Sequence, residues 1–149
     1  MIENIRENNF EINWRSLVEH ISERIITLDR NGIISYINKN AAYGTVEDVI
    51  GKSVYNLLPI DEQEKLQKVL KDLFETGKPH KYISKIIRRD GSIIWYENNV
   101  AGIKENGKVI TAIINSIDIT ELKLSELKLK ESEKKYRGIL ENMMEGYFE

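Results

Sequence analysis

Three X-Gly pairs, Asn31-Gly32, Asp90-Gly91 and Asn106-Gly107, each stand between short runs of β-branched and aromatic residues. Such pairs tolerate the positive φ that tight hairpins demand, so each predicts a reversal between antiparallel strands. The flanking segments then read as strands. Arg24 to Asp29 and Ile33 to Ile37 form the first pair, Lys81 to Arg89 and Ser92 to Ile103 the second, and Lys108 to Ile117 a fifth strand joined to the fourth. The expected product is an antiparallel sheet, against which the rest of the chain has to pack.

That remainder has helical period. Between strands two and three, Leu66, Val69, Leu70, Leu73 and Phe74 fall at i, i+3, i+4, i+7 and i+8, an apolar stripe on one helix face. Asp61 with Glu64 predicts a capping box at its start, and Gly77 followed by Pro79 a stop. Upstream, Asn38 to Val54 reads as loops and short helices, with Thr45-Val46-Glu47-Asp48 a capped helical turn. Trp14, Leu17, Val18 and Ile21 form the stripe of an N-terminal amphipathic helix. Leu122, Leu129, Tyr136 and Met143 recur every seven residues along a C-terminal linker helix. Asp118 and Glu121 fit a capping box there, with Ile117 and Leu122 as a hydrophobic staple, so strand five is expected to pass almost directly into helix. The class is therefore α+β.

Composition removes several function classes. The chain has 149 residues, 22 basic and 24 acidic side chains and a net charge of −2. Charges are scattered along it, which gives no single-sign field for nucleic acid or an anionic membrane. No apolar run is long enough to span a bilayer, and the N-terminus lacks the basic-then-apolar pattern of a signal peptide. Cysteine is absent, which excludes disulfides and thiolate chemistry and fits a reducing, cytoplasmic compartment. Only His20 and His80 offer imidazole. There is no Gly-rich phosphate loop, no His-Glu-x-x-His, no supported Ser-His-Asp set and no ATP lid, so the expectation is that the chain is not an enzyme. The acidic pair Asp61-Glu62 reads as helix-capping charge.

Trp14-Arg15-Ser16-Leu17-Val18-Glu19-His20-Ile21-Ser22-Glu23 is echoed by Tyr136-Arg137-Gly138-Ile139-Leu140-Glu141-Asn142-Met143-Met144-Glu145. If the first copy leads into a strand, the second is expected to lead into one at Tyr147-Phe148, as in a protein with tandem domains. The expected layout is an extension at 1–13, a domain at 14–120, a signalling helix and the start of a second repeat at 121–145, and an opening strand at 146–149.

The order of elements and several words resemble the PAS family of sensory domains with its C-terminal PAC segment, from about Trp14 to Thr120. Ile26-Thr27-Leu28-Asp29-Arg30-Asn31-Gly32-Ile33-Ile34 is similar to the family's opening hairpin, Asn38-Lys39-Asn40-Ala41-Ala42 to the helical turn after it, and Ile50-Gly51-Lys52-Ser53 to its G-K/R-S/P step. Asp90-Gly91-Ser92-Ile93-Ile94-Trp95 resembles the D-G-x-x-x-W hairpin, and Asp118-Ile119-Thr120 the closing D-I-T. The resemblance implies a five-stranded antiparallel sheet of order 2-1-5-4-3, with helices on one face enclosing a small space. That space holds a cofactor or metabolite in some members and side chains in others, so fold alone does not assign its use.

With no cysteine, the covalent cysteinyl-flavin chemistry of light-sensing members is excluded. Residues 61 to 76 contain no histidine, which argues against a haem ligand on the long helix. Non-covalent flavin or a metabolite needs only an apolar slot with a few polar groups. Trp95, Tyr96, Glu97, Asn98 and Asn99 on strand four could supply them. Alternation sends Trp95, Glu97 and Asn99 to one face and Tyr96 and Asn98 to the other, and which face lines a cavity is left open.

The expected function is a sensory input module of a signalling protein, such as a multi-PAS histidine kinase. It would relay a bound ligand's state through Asp118, Ile119, Thr120 and Glu121 into the rear helix. The alternative is a ligand-free module that dimerises and relays. The rear seam, Ile119, Leu122, Glu126, Leu129, Glu133, Tyr136, Leu140 and Met143, is interrupted by two glutamates and suits a moderate homodimer contact. Adjacent PAS or kinase domains are the other expected partners.

Overall fold

The computed structural model describes residues 16–39 and 45–147. Helix α1 occupies residues 16–20 of the described chain. There follow β1 (Arg24–Leu28), β2 (Ile34–Ile37), α2 (Val46–Val49), a 3-10 turn (Val54–Leu57), α3 (Ile60–Thr76), β3 (His80–Ile87), β4 (Ile93–Glu105), β5 (Lys108–Asp118) and α4 (Thr120–Tyr147). The strands form one antiparallel sheet in the order β2-β1-β5-β4-β3, as the resemblance implies. The chain divides into two units, one ending at Asp118 and one beginning at Ile119.

All three X-Gly pairs close reversals, in two different ways. Asn106 and Gly107 both have positive φ (52° and 79°), the two-residue turn that matches strand twist. At the other two sites only the glycine is left-handed, and an aspartate completes the turn. Asp29 Oδ1 accepts from the backbone N–H of Asn31 at 2.8 Å and of Ile33 at 2.9 Å. Asp90 Oδ1 accepts from Ser92 N at 2.9 Å and Ser92 Oγ at 2.6 Å. Local side-chain acceptors thus replace the second positive φ, making these turns longer than expected.

Helix α3 lies across the sheet through Leu66, Leu70 and Leu73, all buried. Full burial of each such side chain stabilises by about 1.5–3 kcal/mol. They meet Leu28, Ile34, Ile37, Val100, Ala112 and Ile114 from the strands, with Val49 of α2 and Val54 of the 3-10 turn closing the layer. Gly77 ends α3 in the left-handed conformation, its N–H returning to Leu73 O at 2.8 Å. The start differs from the expected Asp61/Glu64 capping box. Pro59 is the N-cap at φ −57°, without a side-chain cap bond, so the helix begins two residues earlier and Asp61 falls inside it. At α2 the expected capping box between Thr45 and Asp48 is present. Those hydrogen bonds from Thr45 hold the Asp48 carboxyl below its usual range.

The β2 edge of the sheet is covered. Beside β2, Ile34 N donates to Lys52 O and Gly51 N to Ile34 O, so the loop after α2 pairs with the edge strand. Of the front stripe, Val18 is buried while Leu17 and Ile21 are exposed; Trp14 and residues 1–13 lie outside the described residues. Asn38 ties this entry down instead. Its Nδ2 donates to Val18 O (3.1 Å) and Glu23 O (3.0 Å), and its Oδ1 accepts from Ile25 N (2.8 Å). The expected helical turn after it falls largely on residues 40–44, outside the described residues.

In the second unit α4 is a single helix of 28 residues. Leu122, Leu129, Tyr136 and Met143 are exposed along it. Gly146 and Tyr147, expected to open a strand, are helical; residues 148 and 149 lie outside the described residues. A strand needs a partner for its backbone groups, whereas a helix satisfies them internally, which favours continuation of α4.

Candidate functional site

The core face of the sheet and α3 enclose a cavity of about 90 Å³. Its walls are largely aliphatic: Ile26 of β1, Ile34 and Ile37 of β2, Leu57 and Leu58 after the 3-10 turn, Leu66 of α3 and Ile114 of β5. Among the described residues the buried polar side chains are Glu62, Ser84, Asn98 and Ser116, and all four line this one cavity. Burying a polar group without a partner costs free energy, so such a cluster in an apolar core calls for an internal account.

Three of them supply one another. Asn98 of β4 sits opposite Tyr82 of β3 and Ser116 of β5 in register. Asn98 Nδ2 donates to Ser84 Oγ at 2.9 Å, and Ser116 Oγ donates to Asn98 Oδ1 at 2.6 Å. The rung crosses β3, β4 and β5 on their inner face, using same-face neighbours that pleating brings together.

Glu62 is satisfied only in part. Its Oε1 accepts from Lys85 N of the β3 edge at 3.2 Å and pairs with Lys65 Nζ at 3.2 Å. Its Oε2 is buried with no hydrogen-bond partner. The residue stands in the first turn of α3 with Asp61, where negative charge is favourable as the sequence reading has it, but its side chain also turns inward. It lies one helical turn before Leu66 on the buried stripe, and it tethers α3 to the free edge of β3.

Tyr82 and Tyr96 complete the polar wall. Burial, followed by the charges of Glu62 and Tyr55, pushes the Tyr82 phenol well above the usual tyrosine range. Arg24, at the β1 side, lies over the Tyr96 ring at 5.3 Å. The cavity thus has a carboxylate against β3, a guanidinium over Tyr96 of β4, and neutral hydrogen-bonding groups beside them.

The structure settles the choice between the faces of strand four. Tyr96 and Asn98 line the cavity, whereas Trp95 and Asn99 lie on the opposite face. Trp95 sits opposite Lys85, whose Nζ is 5.4 Å from the indole ring, and Asn99 sits opposite Lys81 and Asn115. Glu97 shares that outer face and pairs with Lys81 at 2.6 Å. The pleat separates neighbours, so the two asparagines serve different surfaces.

Ser84, Ser116 and Glu62 were missed in the sequence. Their signal is periodic: Ser84 alternates with Tyr82 and Ile86, Ser116 with Ile114, and Glu62 shares the helical stripe of Leu66 and Leu73. A polar residue at an inward position of an otherwise apolar stripe marks a cavity wall.

At about 90 Å³ the space is well below the roughly 300–1,000 Å³ of pockets that take drug-sized ligands. His20 Nδ1 donates to Ser16 O at 2.6 Å, and His80 is the first residue of β3 rather than in the loop before it; neither lines the cavity.

Asp118 ends β5 opposite Tyr96, Ile119 follows, and Thr120 and Glu121 open α4. Pairing carries β5 one residue beyond its expected end. The residue ahead of the helix is accordingly Ile119, one later than the Asp118 cap position read from the sequence.

A sequence model described as a PAS domain matches residues 22–121. The chain belongs to the PAS domain family. Its fold is shared by the PAS domain of an HTR-like protein from Haloarcula marismortui, at 24% identity over 78% of this chain and 98% of that one, TM-score 0.62. The PAS domain of a Colwellia psychrerythraea protein matches at 22% identity over 75% and 98%, TM-score 0.62. VqmA in its complex with DPO matches at 21% identity over 72% of this chain, TM-score 0.60, and this PAS chain spans 57% of its length; VqmA is a Vibrio cholerae protein. No protein of curated function matches the sequence. PAS domains are sensory modules, and the cavity occupies the space that the fold encloses between sheet and helices.

Proposed function

We propose that this PAS domain is a non-catalytic input module that binds a small molecule in its internal cavity and relays occupancy through β5 into α4. The observation that carries the reading is the gathering of the buried polar side chains at one cavity in an otherwise aliphatic core. A core filled only for stability has little use for a carboxylate with a bare oxygen. That VqmA, a chain of the same fold, holds DPO lends support.

The relay follows from connectivity. Ile114 and Ser116 are cavity-lining residues of β5, and the strand ends two residues later at Asp118, where the chain runs on through Ile119 into Thr120 and Glu121. A change in the hydrogen bonding of Ser116 therefore acts on the strand that leads directly into the helix. We place the module in a cytoplasmic signalling protein, a histidine kinase or related regulator, homodimeric through its flanking helices and next to further PAS or kinase domains. The sequence echo of Trp14 to Glu23 at Tyr136 to Glu145 supports the tandem arrangement.

Native mass spectrometry of the purified chain, compared with its denatured mass, tests the reading. A mass excess lost on denaturation supports a bound ligand. A clean mass, with no stabilisation by any member of a small-metabolite library, sinks it. The small volume of the cavity favours the second reading in that event: a ligand-free domain that dimerises and relays.

A further inference from the structure

We infer that the ligand is a small protonated amine carrying a hydrogen-bond acceptor, an amino alcohol of a handful of heavy atoms; the inference rests on the cavity being a ligand site. Glu62 Oε2 is shut off from solvent without a donor, while Lys65 reaches only Oε1 and is itself half exposed. A carboxylate oxygen can only accept, and a cationic donor satisfies it about twice as strongly as a neutral one. An anion at this end is repelled.

The neighbouring polar groups have the opposite character. Ser84 Oγ accepts from Asn98 Nδ2, which leaves the Ser84 hydroxyl hydrogen to donate. Asn98 Nδ2 uses one of its two hydrogens in that bond, which leaves the second for an acceptor. The wall therefore offers a carboxylate acceptor beside neutral hydroxyl and amide donors, with the Arg24 guanidinium over Tyr96 of β4. A molecule with an ammonium group at one end and a hydroxyl at the other matches that set. The volume of about 90 Å³ limits its body to a short aliphatic carbon chain.

The test uses three near-isosteric probes, 1-amino-2-propanol, propane-1,2-diol and lactate, titrated against the full chain while the Asn98 side-chain amide is followed by NMR. The amino alcohol is expected to bind about tenfold or more tightly than the diol, and lactate most weakly of the three. Glu62→Gln should bring the amino alcohol down to the diol's affinity and leave the diol unchanged. Ser84→Ala, which keeps the Glu62 tether intact, should weaken both while preserving their ratio, and serves if Glu62→Gln does not fold. Equal binding of amine and diol, or a ratio insensitive to Glu62→Gln, overturns the amine assignment and leaves the sensor reading standing. Absence of any shift with all three probes also overturns it, and the native mass measurement then decides the sensor reading separately.

Discussion

Asn98 is the hub of the buried polar rung, and its removal separates a packing role from a hydrogen-bonding one. Asn98→Leu keeps the branched shape but leaves the Ser116 hydroxyl donor and the Ser84 oxygen without their partner. An orphaned buried group costs about 1–3 kcal/mol, so urea unfolding should show a loss of that order even though the new side chain is apolar. A stabilised Asn98→Leu protein would mean that water enters the cavity and replaces the rung. Tyr82 gives the second residue-scale prediction, with a definite sign. Its folded pKa lies above the unfolded value near 10, so above that pH the unfolded chain loses a proton that the native state retains. Stability is fully present below about pH 10 and declines as pH rises towards the folded value, by up to about 1.4 kcal/mol per pH unit. Tyr82→Phe should flatten this alkaline decline relative to the parent. Identical pH profiles for the two proteins would show that the phenol stays neutral for no energetic reason of its own.

At the scale of elements, the β4–β5 hairpin depends on a close approach. A Cβ placed on Gly102 would come within 2.8 and 2.9 Å of the two Val109 methyls, and Val109 is buried in the core. Gly102→Ala is expected to cost about 1–3 kcal/mol through overpacking. Adding Val109→Ala removes the obstructing methyls, so the double mutant should be more stable than the sum of the single losses allows. Additive losses in thermal melts would place the cost in the strand backbone instead. Elements of this kind were the legible part of the sequence. Turn pairs at Gly32, Gly91 and Gly107 and the Leu66-to-Phe74 period located five strands and the long helix within a few residues, because each rests on local geometry. The cavity was only half legible. Pleating correctly split Tyr96 and Asn98 from Trp95 and Asn99, but nothing local says which face meets α3. Glu62 stayed hidden for a related reason: its partners, Lys85 N and the cavity, are distant in sequence, and an acid in a first helical turn has a sufficient local explanation.

The whole-molecule question is how occupancy of one domain reaches another, and two substitutions address its successive steps. Asp118→Ala, at the exposed end of β5, should leave the core folded yet reduce the ligand-dependent output of the parent protein, with the fold checked by urea unfolding. Unaltered output would remove this residue from the relay. Beyond it, α4 carries Leu122, Leu129, Tyr136 and Met143 exposed at heptad spacing, with Glu126 and Glu133 in the same seam. Paired helices bury such a seam, but a glutamate at a core position costs stability in every copy and keeps the pairing weak. Weak pairing is what a relay needs, because a ligand shifts an equilibrium only by its differential affinity for the two states, usually a few kcal/mol. In the proposed homodimer, Glu126→Leu with Glu133→Leu should therefore tighten pairing by a factor of about ten or more in sedimentation equilibrium, while making the parent protein's output insensitive to ligand. Leu129→Lys should have the opposite effect, giving a monomer with the same folded core. If the double leucine variant tightens the dimer yet ligand response persists undiminished, pairing along α4 is a static link and the signal leaves the domain by another surface.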